Sequence, residues 1–324
     1  MPRILTGIQS SGTPHLGNLL GAILPAIELS KHNESFFFIA DFHALTTVKN
    51  KEILISNTIE TAAAWIACGL NTKNGNILYR QSDIPQVTEL MWYLNCITPY
   101  PMLANAHSFK DKSGRLSDVN AGLFTYPVLM AADIILYNAE LVPVGKDQVQ
   151  HIEMTRDIAT KFNHNFGETF VIPETKLDSQ NMIVPGTDGN KMSKSYNNVI
   201  NIFAEENVLK KQIMNIVTDS KGLAEPKDPN NCNVFQIYKL IASKEETKKM
   251  EYNYINGGFG YGHAKKALLE LTISKFKNER SKFFELIQSP EIIEKELFNG
   301  AEKAKKTANK VLEKVKKNLG LVRA

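Results

Sequence analysis

Through roughly the first two hundred residues, short apolar runs alternate with stretches whose apolar positions recur every three or four residues. Residues 4–8 predict a strand, and residues 17–31 a helix with Leu19, Leu20, Ile23, Leu24 and Ile27 on one face. Residues 35–40, built around Phe36-Phe37-Phe38-Ile39, predict a second, fully buried strand. A helix over 51–68, a strand over 76–80 and a helix over 87–96 follow, then a helix over 128–137 and a strand over 140–144. Residues 148–162 read as a further helix, with Ile152, Thr155, Ile158 and Ala159 spaced for one face. Strands alternating with helices imply an α/β fold with a parallel, Rossmann-like sheet, and ligands at the carboxyl ends of its strands.

After about residue 198 the strand signal fades. Helical patterns dominate at 208–217, 234–241, 245–251, 261–288 and 292–319, interrupted by the glycine-rich 256–262. We therefore expect two domains, residues 1–199 around the sheet and residues 200–324 all-helical. Residues 301–324 hold eight Lys/Arg against two Glu, with Ala304, Ala308, Val311, Leu312, Val315 and Leu319 as an apolar stripe. Such a helix would pack one face back on the protein, and its basic face would suit nucleic-acid phosphates; the two readings are compatible.

Composition narrows the class only a little. The 324 residues are 43% hydrophobic and 22% charged, with a net charge of +4, too small to imply a polyanionic partner by itself. Cys68, Cys96 and Cys232 are too scattered for a disulfide framework or a zinc ribbon, and suggest reduced thiols in the cytoplasm. No signal-like segment and no apolar run near the ~20 residues of a membrane span is expected to matter here.

The chemistry lies in two constellations. Gly7-Ile8-Gln9-Ser10-Ser11-Gly12-Thr13-Pro14-His15-Leu16-Gly17-Asn18 leaves the first strand and enters a helix. Glycine permits close backbone approach there, and a helix start offers unpaired N–H groups to phosphate. It matches neither the dinucleotide-binding glycine fingerprint nor the Lys-containing phosphate loop. Later, the glycine-rich loop 184–190 leads into Lys191-Met192-Ser193-Lys194-Ser195. Two ammonium groups three residues apart would meet one polyphosphate. Lysines that meet a departing pyrophosphate chiefly in the transition state are catalytic, because only differential binding lowers a barrier. Either constellation alone would pass for a solvated loop; the pair points to adenylate formation.

His-x-Gly-Asn near the N-terminus with Lys-Met-Ser-Lys-Ser about 175 residues later resembles the class I aminoacyl-tRNA synthetases. Residues 121–137 (AGLFTYPVLMAADIILY) and 142–159 (VPVGKDQVQHIEMTRDIA) are similar to the tryptophanyl-tRNA synthetase family, and the likeness continues through Thr218-Asp219-Ser220 to 300–304.

The resemblance implies activation of L-tryptophan by ATP, accompanied by Mg²⁺ without a dedicated protein metal site, then transfer to tRNA-Trp by a homodimer with no membrane association. It assigns Asp133 to the indole N–H, a donor that a buried carboxylate suits. Leu5, Gly7, His43, Met130, Ile134, Val142 and Val144 would wall the indole pocket, though each would serve equally as core. Tyr126 and Gln148 would reach the amino and carboxylate groups. Gln9, Ser10, Ser11, Gly17 and Asn18 match ATP contacts, with Gly145, Lys146 and Asp147 at the ribose and Met182 or Ile183 at adenine. Lys191, Met192, Ser193, Lys194 and Ser195 complete the ATP site. Catalysis falls to Lys191, Lys194, Lys112, His15 and Asn18, and no general base is needed because the carboxylate is already ionised. The chain departs from the family at Ser10, where Pro is common, at His15, where Thr is frequent, and at Lys146, where an acidic or small residue is usual. Residues 97–107 fit poorly, and Pro99 and Pro101 should interrupt the helix before Lys112. Rivals are a tyrosine-specific enzyme of the same subclass, a tRNA-binding paralogue without catalysis, and a nucleotidyltransferase acting on a small metabolite.

Overall fold

The computed structural model describes residues 2–107, 109–110, 114, 119–177 and 184–322. Five strands, β1 (Arg3–Gln9), β2 (Glu34–Ala40), β3 (Ile77–Arg80), β4 (Leu141–Val144) and β5 (Glu174–Leu177), form one parallel sheet in the order β3-β2-β1-β4-β5. This is the α/β, Rossmann-like order, in which the chain reverses direction across the sheet at β1 and leaves a crevice at the strands' carboxyl ends. The apolar pattern did not disclose β5, whose four residues, Glu-Thr-Lys-Leu, contain a single hydrophobe.

Helices in chain order are α1 (Leu16–Asn18), α2 (Leu24–Ser30), α3 (Asp41–Ala44), α4 (Lys51–Ala67), α5 (Gln86–Asn95), α6 (Tyr100–Ala104), α7 (Ala121–Ile135) and α8 (Val149–Phe166). There follow α9 (Glu206–Met214), α10 (Asn233–Ile241), α11 (Lys244–Asn256), α12 (Tyr261–Lys275), α13 (Lys277–Gln288) and α14 (Pro290–Leu319). A wider π-helical turn, Leu19–Ile23, joins α1 to α2. The expected helix over 261–288 is two, broken at the buried Phe276, beyond which Arg280 turns inward to donate to the Ile202 carbonyl. α7 starts seven residues before the expected 128, because Asn120 caps it by accepting from the Leu123 N–H at 3.0 Å and Pro127 is accommodated inside it. Pro99 precedes α6 and Pro101 sits in its first turn, where a missing N–H costs nothing.

Alternation along the strands makes two cores. Phe37, Ile39 and Leu78 face one side, where Trp65 of α4 lies 4.9 Å from the Phe37 ring. That core runs without a break through Met192 and Ile200 into Ile213, Phe235 and Leu268 of the later helices. Phe36, Phe38 and Tyr79 face the other side, against Leu90, Val128, Ile135, Ile152 and Phe162.

α14 belongs to both cores. It runs along the open edge of β3, with Ile293 and Leu297 in the first core and Ala301, Ala304, Ala308 and Val311 in the second. The crossing depends on Gly300: a Cβ there would collide with the Leu78 carbonyl. Arg80–Glu294 at 2.5 Å, Gln86–Asn309 at 2.5 Å and Lys316–Glu89 at 2.6 Å fasten the helix along its length. Covering an edge strand in this way removes an exposed row of pairing groups. Among the described residues, no helix is long and apolar enough to cross a membrane.

Candidate active site

The central strand β1 is buried at Ile4, Leu5 and Thr6 but exposed at Gly7. An exposed residue in the middle of a five-stranded sheet marks an opening, and a side chain at Gly7 would clash with the Phe38 ring beside it. Asp133 of α7 is 1% exposed. Its carboxylate takes both oxygens' worth of hydrogen bonds from the Gln81 amide, at 2.8 Å each, and pairs through Oδ2 with His43 Nε2 at 2.9 Å. Burial raises its pKa, against the opposing pull of His43 and Gln81. Gln81 is itself fixed, since its Oε1 accepts from the Phe42 N–H at 3.1 Å. The His43 carbonyl accepts from Gln9 Nε2 at 2.9 Å, which ties the end of β1 to the same wall.

A second run of polar side chains links α7 to the turn before α8. The Tyr126 hydroxyl stands 3.0 Å from His151 Nε2, and His151 Nδ1 stands 2.8 Å from Gln148 Oε1. Gln148 Nε2 donates to Asp147 at 3.0 Å, and Lys191 Nζ lies 3.6 Å from the same carboxylate. Burial works to raise the pKa of Asp147, but the Gln148 amide and the Lys191 ammonium outweigh it and hold the group below the usual carboxylate range.

The two sequence constellations meet on the other wall. His15 caps α1 by accepting from the Asn18 N–H at 3.3 Å, while Asn18 Oδ1 accepts from the His15 N–H at 3.1 Å. Gly17 leaves room for the His15 ring and for Met192, whose Cβ would be 3.4 Å from a Cβ at Gly17. Met192 is 4% exposed and anchors its loop in the core, while Lys191 and Ser195 on either side are exposed. Lys194 Nζ donates to the Gly12 carbonyl at 2.5 Å. Burial drops the Lys194 pKa to about 8, against the Glu60 carboxylate. Burial, helped by the Lys194 ammonium, drops His15 to about 4, so its imidazole is neutral at pH 7.

Of the sequence-predicted residues, these contacts group Gln9, His43 and Asp133; Tyr126, Gln148, Asp147 and Lys191; and His15, Gly17, Asn18 and Met192, with Lys194 bonded to Gly12. Ser193 joins them through Asn198, whose Oδ1 accepts from the Ser193 N–H at 2.7 Å and whose amide donates to the Lys191 carbonyl at 3.1 Å. Leu5, Ile134 and Val142 are buried in the second core, where Met130 and Val144 pack partly exposed. Ser10 is buried, and Ser11, Gly145 and Lys146 are exposed. Lys112, Met182 and Ile183 lie outside the described residues.

Sequence reasoning passed over Gln81, His151, Asn198 and Glu60. Only His151 carried a signal, as a polar residue three positions from Gln148 on the inward face of a helix. Among the described residues, no group of three or more His, Cys, Asp or Glu converges to hold a metal.

A parallel, Rossmann-like sheet with a buried carboxylate and two lysines on a glycine-led loop suits an amino-acid-activating enzyme, and comparison with known proteins shows the family. The family model for class I tRNA synthetases (W and Y) matches residues 1–277. The sequence is 49% identical over 319 residues to the tryptophan–tRNA ligase of Rhodopirellula baltica, covering 98% of this chain and 99% of that one. The fold matches the crystal structure of the Campylobacter jejuni tryptophanyl-tRNA synthetase complexed with ADP and tryptophan at TM-score 0.94 and 45% identity, covering 98% of this chain and 100% of that one. A match to the Mycoplasma pneumoniae tryptophanyl-tRNA synthetase has TM-score 0.82 at 28% identity, covering 99% and 98% of the two chains. The chain belongs to the class I tRNA synthetases of the tryptophan and tyrosine branch, and within that branch to the tryptophan–tRNA ligases.

Proposed function

We propose that Asp133 receives the indole N–H of tryptophan while Lys191 and Lys194 meet the polyphosphate of ATP. The chain is a tryptophan–tRNA ligase: it uses ATP to convert L-tryptophan to its adenylate with release of pyrophosphate, and tryptophan then passes to tRNA-Trp. The carboxylate oxygen of tryptophan attacks the α-phosphorus, the bond to the bridging oxygen of pyrophosphate breaks, and the negative charge gathered there meets the two ammonium groups. The observation that carries the reading is the Asp133 carboxylate, buried and hydrogen-bonded by the Gln81 amide beside the His43 ring. Such a site suits indole, a donor without an acceptor, and would leave a phenol's oxygen unanswered.

We assign His15 and Asn18, hydrogen-bonded to each other at the start of α1, to the phosphates, and Gly145, Lys146 and Asp147 to the ribose. Mg²⁺ enters with the nucleotide, whose phosphates supply the oxygen ligands it prefers. Residues 200–324 are assigned to the tRNA anticodon, supported by their helical build and the basic face of α14. A homodimer is favoured by Trp92 and Tyr100, 67% and 71% exposed on α5 and α6, large apolar surface that an isolated chain would leave in water. Three free thiols suit a cytoplasmic setting.

Amino-acid-dependent exchange of pyrophosphate into ATP tests the reading. Exchange should require tryptophan; exchange with tyrosine and none with tryptophan would overturn it, and adenylate formation without charging of tRNA would limit the chain to the first half-reaction.

A further inference from the structure

A carboxylate beside a phosphate site works against binding, because it repels the anion that the lysines attract. Glu60 of α4 is such a group. α4 buries Ala62 and Trp65 in the first core, and Glu60 lies half-buried beside them. Both of its oxygens are engaged. The Thr13 hydroxyl donates to one, and the hydroxyl of Ser56, one helical turn earlier, donates to the other at 2.8 Å. Thr13 lies in the loop between β1 and α1, and the residue before it, Gly12, supplies the carbonyl to which Lys194 Nζ donates at 2.5 Å. Gly12 has φ +129°, a conformation that favours glycine, and a Cβ there would stand 3.3 Å from the Lys194 side chain. Two neighbouring residues of one loop therefore hold an ammonium from the late loop and a carboxylate from α4, and the two charges act on each other across that loop.

We propose that Glu60 is a positioning residue for the nucleotide site: fixed to Thr13 and Ser56, its carboxylate is the counter-charge that keeps Lys194 an ammonium at rest on Gly12 until phosphates take its place. The inference rests on the reading above that Lys194 meets the polyphosphate, and adds what holds that cation ready. Burial pulls the Lys194 pKa down to about 8, and the Glu60 carboxylate opposes that pull. The titratable group at the start of α1, His15, is dropped to about 4 by burial, helped by Lys194, and is uncharged at pH 7. Lys191, three residues before Lys194, lies 3.6 Å from Asp147 instead. Without the Glu60 charge more of the free enzyme would carry a neutral amine, which cannot answer the charge that develops on pyrophosphate. Glu60 itself touches no reacting atom and acts through Lys194.

The test is Glu60→Gln, which keeps the size of the side chain and an acceptor for the hydroxyls but removes the charge. kcat/KM for ATP, which reports groups of the free enzyme, is measured against pH by tryptophan-dependent pyrophosphate exchange on the full chain. The unaltered enzyme, Glu60→Gln, Lys194→Arg and the double variant are compared. The unaltered enzyme should show an alkaline fall that Lys194→Arg abolishes, since a guanidinium stays charged. Glu60→Gln should move that fall to lower pH by about half a unit or more, as loss of a nearby opposite charge requires. In the double variant, with no amine left to titrate, the fall should be absent.

A Glu60→Gln profile lowered by one factor at every pH, with its fall unmoved, would mean that Glu60 only supports the loop, and a profile identical to the unaltered one would mean that its charge does not reach Lys194. A shift that persisted in the double variant would mean that Glu60 acts on another group. Each of these overturns the proposal and leaves Lys194 assigned to the phosphates, which loss of activity in Lys194→Ala tests separately. An unchanged activation rate in Lys194→Ala would remove that assignment and this proposal together.

Discussion

The two walls of the crevice are built on opposite plans. On the wall we assign to the amino acid, Asp133, Gln81, His43, Tyr126 and His151 are drawn from regular elements or the ends next to them, are largely buried, and are hydrogen-bonded in two sets, Asp133 with Gln81 and His43, and Tyr126 with His151. On the wall we assign to the nucleotide the two lysines ride a loop. Lys191 is exposed and 3.6 Å from Asp147, and Lys194 rests on the Gly12 carbonyl. The contrast follows from what each wall must do. Rejecting a near-identical amino acid needs polar groups that are costly to leave unpaired, which requires burial and rigidity. Accelerating departure of pyrophosphate needs charge that engages more strongly as the transition state forms, which favours cations free to close on it.

The largest effect that would break this contrast is at Lys194. Lys194→Ala should slow adenylate formation by about 10³-fold while leaving the tryptophan dissociation constant within about twofold, as expected for a group acting in the transition state. Single-turnover kinetics with tryptophan binding measured in parallel checks it, and an unchanged activation rate would remove Lys194 from catalysis. The mirror experiment is Asp133→Ala, which should cut discrimination of tryptophan over phenylalanine by about 10²-fold or more. Competitive pyrophosphate exchange reports that ratio, and an unaltered value would take Asp133 out of the pocket.

A smaller effect separates loop position from loop charge. Asn198→Ala, which frees the Ser193 N–H and the Lys191 carbonyl, should lower kcat by about tenfold without touching amino-acid selectivity, since misplacing a catalytic group costs rate at a distance. A change in selectivity would contradict the independence of the two walls. The smallest effect is in pH. Burial drops the Lys194 pKa to about 8, so in the free enzyme the ammonium is present below that pH and lost above it. kcat/KM for ATP should therefore be flat on the acid side of this value and fall by about tenfold per unit well above it. Lys194→Arg, which keeps its charge, should abolish that fall whatever its absolute rate.

How much of this was visible in the sequence also differs between the walls. On the wall we assign to the nucleotide, the two runs 7–18 and 191–195 stood out because their glycines and lysines are contiguous, whereas Asn198 and Glu60, which touch them, carried no signal, and Lys112, Met182 and Ile183 lie outside the described residues. The amino-acid wall was legible only through resemblance. Asp133 stood out as a charge inside an apolar helix, yet its partner Gln81 comes from the end of β3, fifty-two positions away, with no local pattern to announce it. His151 was one more polar residue on a helix until its two ring nitrogens were seen to be engaged. In the fold, strong periodicity carried the long helices, whereas β5 was too short and too polar to register, and the kink at Phe276 depends on a tertiary contact that no local propensity encodes.

The passage of α14 along the edge of β3 fixes the order in which the protein can be finished. The sheet's strands are all made by residue 177, but the helix that closes its edge, with Gly300 against Leu78, begins only at Pro290. At synthesis rates of about 5–20 residues per second, the interval on the ribosome is on the order of ten seconds. During that time the nascent sheet has an uncovered strand and two incomplete cores, so this enzyme of translation is itself exposed to mispairing until its last helix has been made. A premature stop before the last helix would prolong that exposure indefinitely, and the product should be recognised by aggregation and proteolysis rather than by a selective loss of activity.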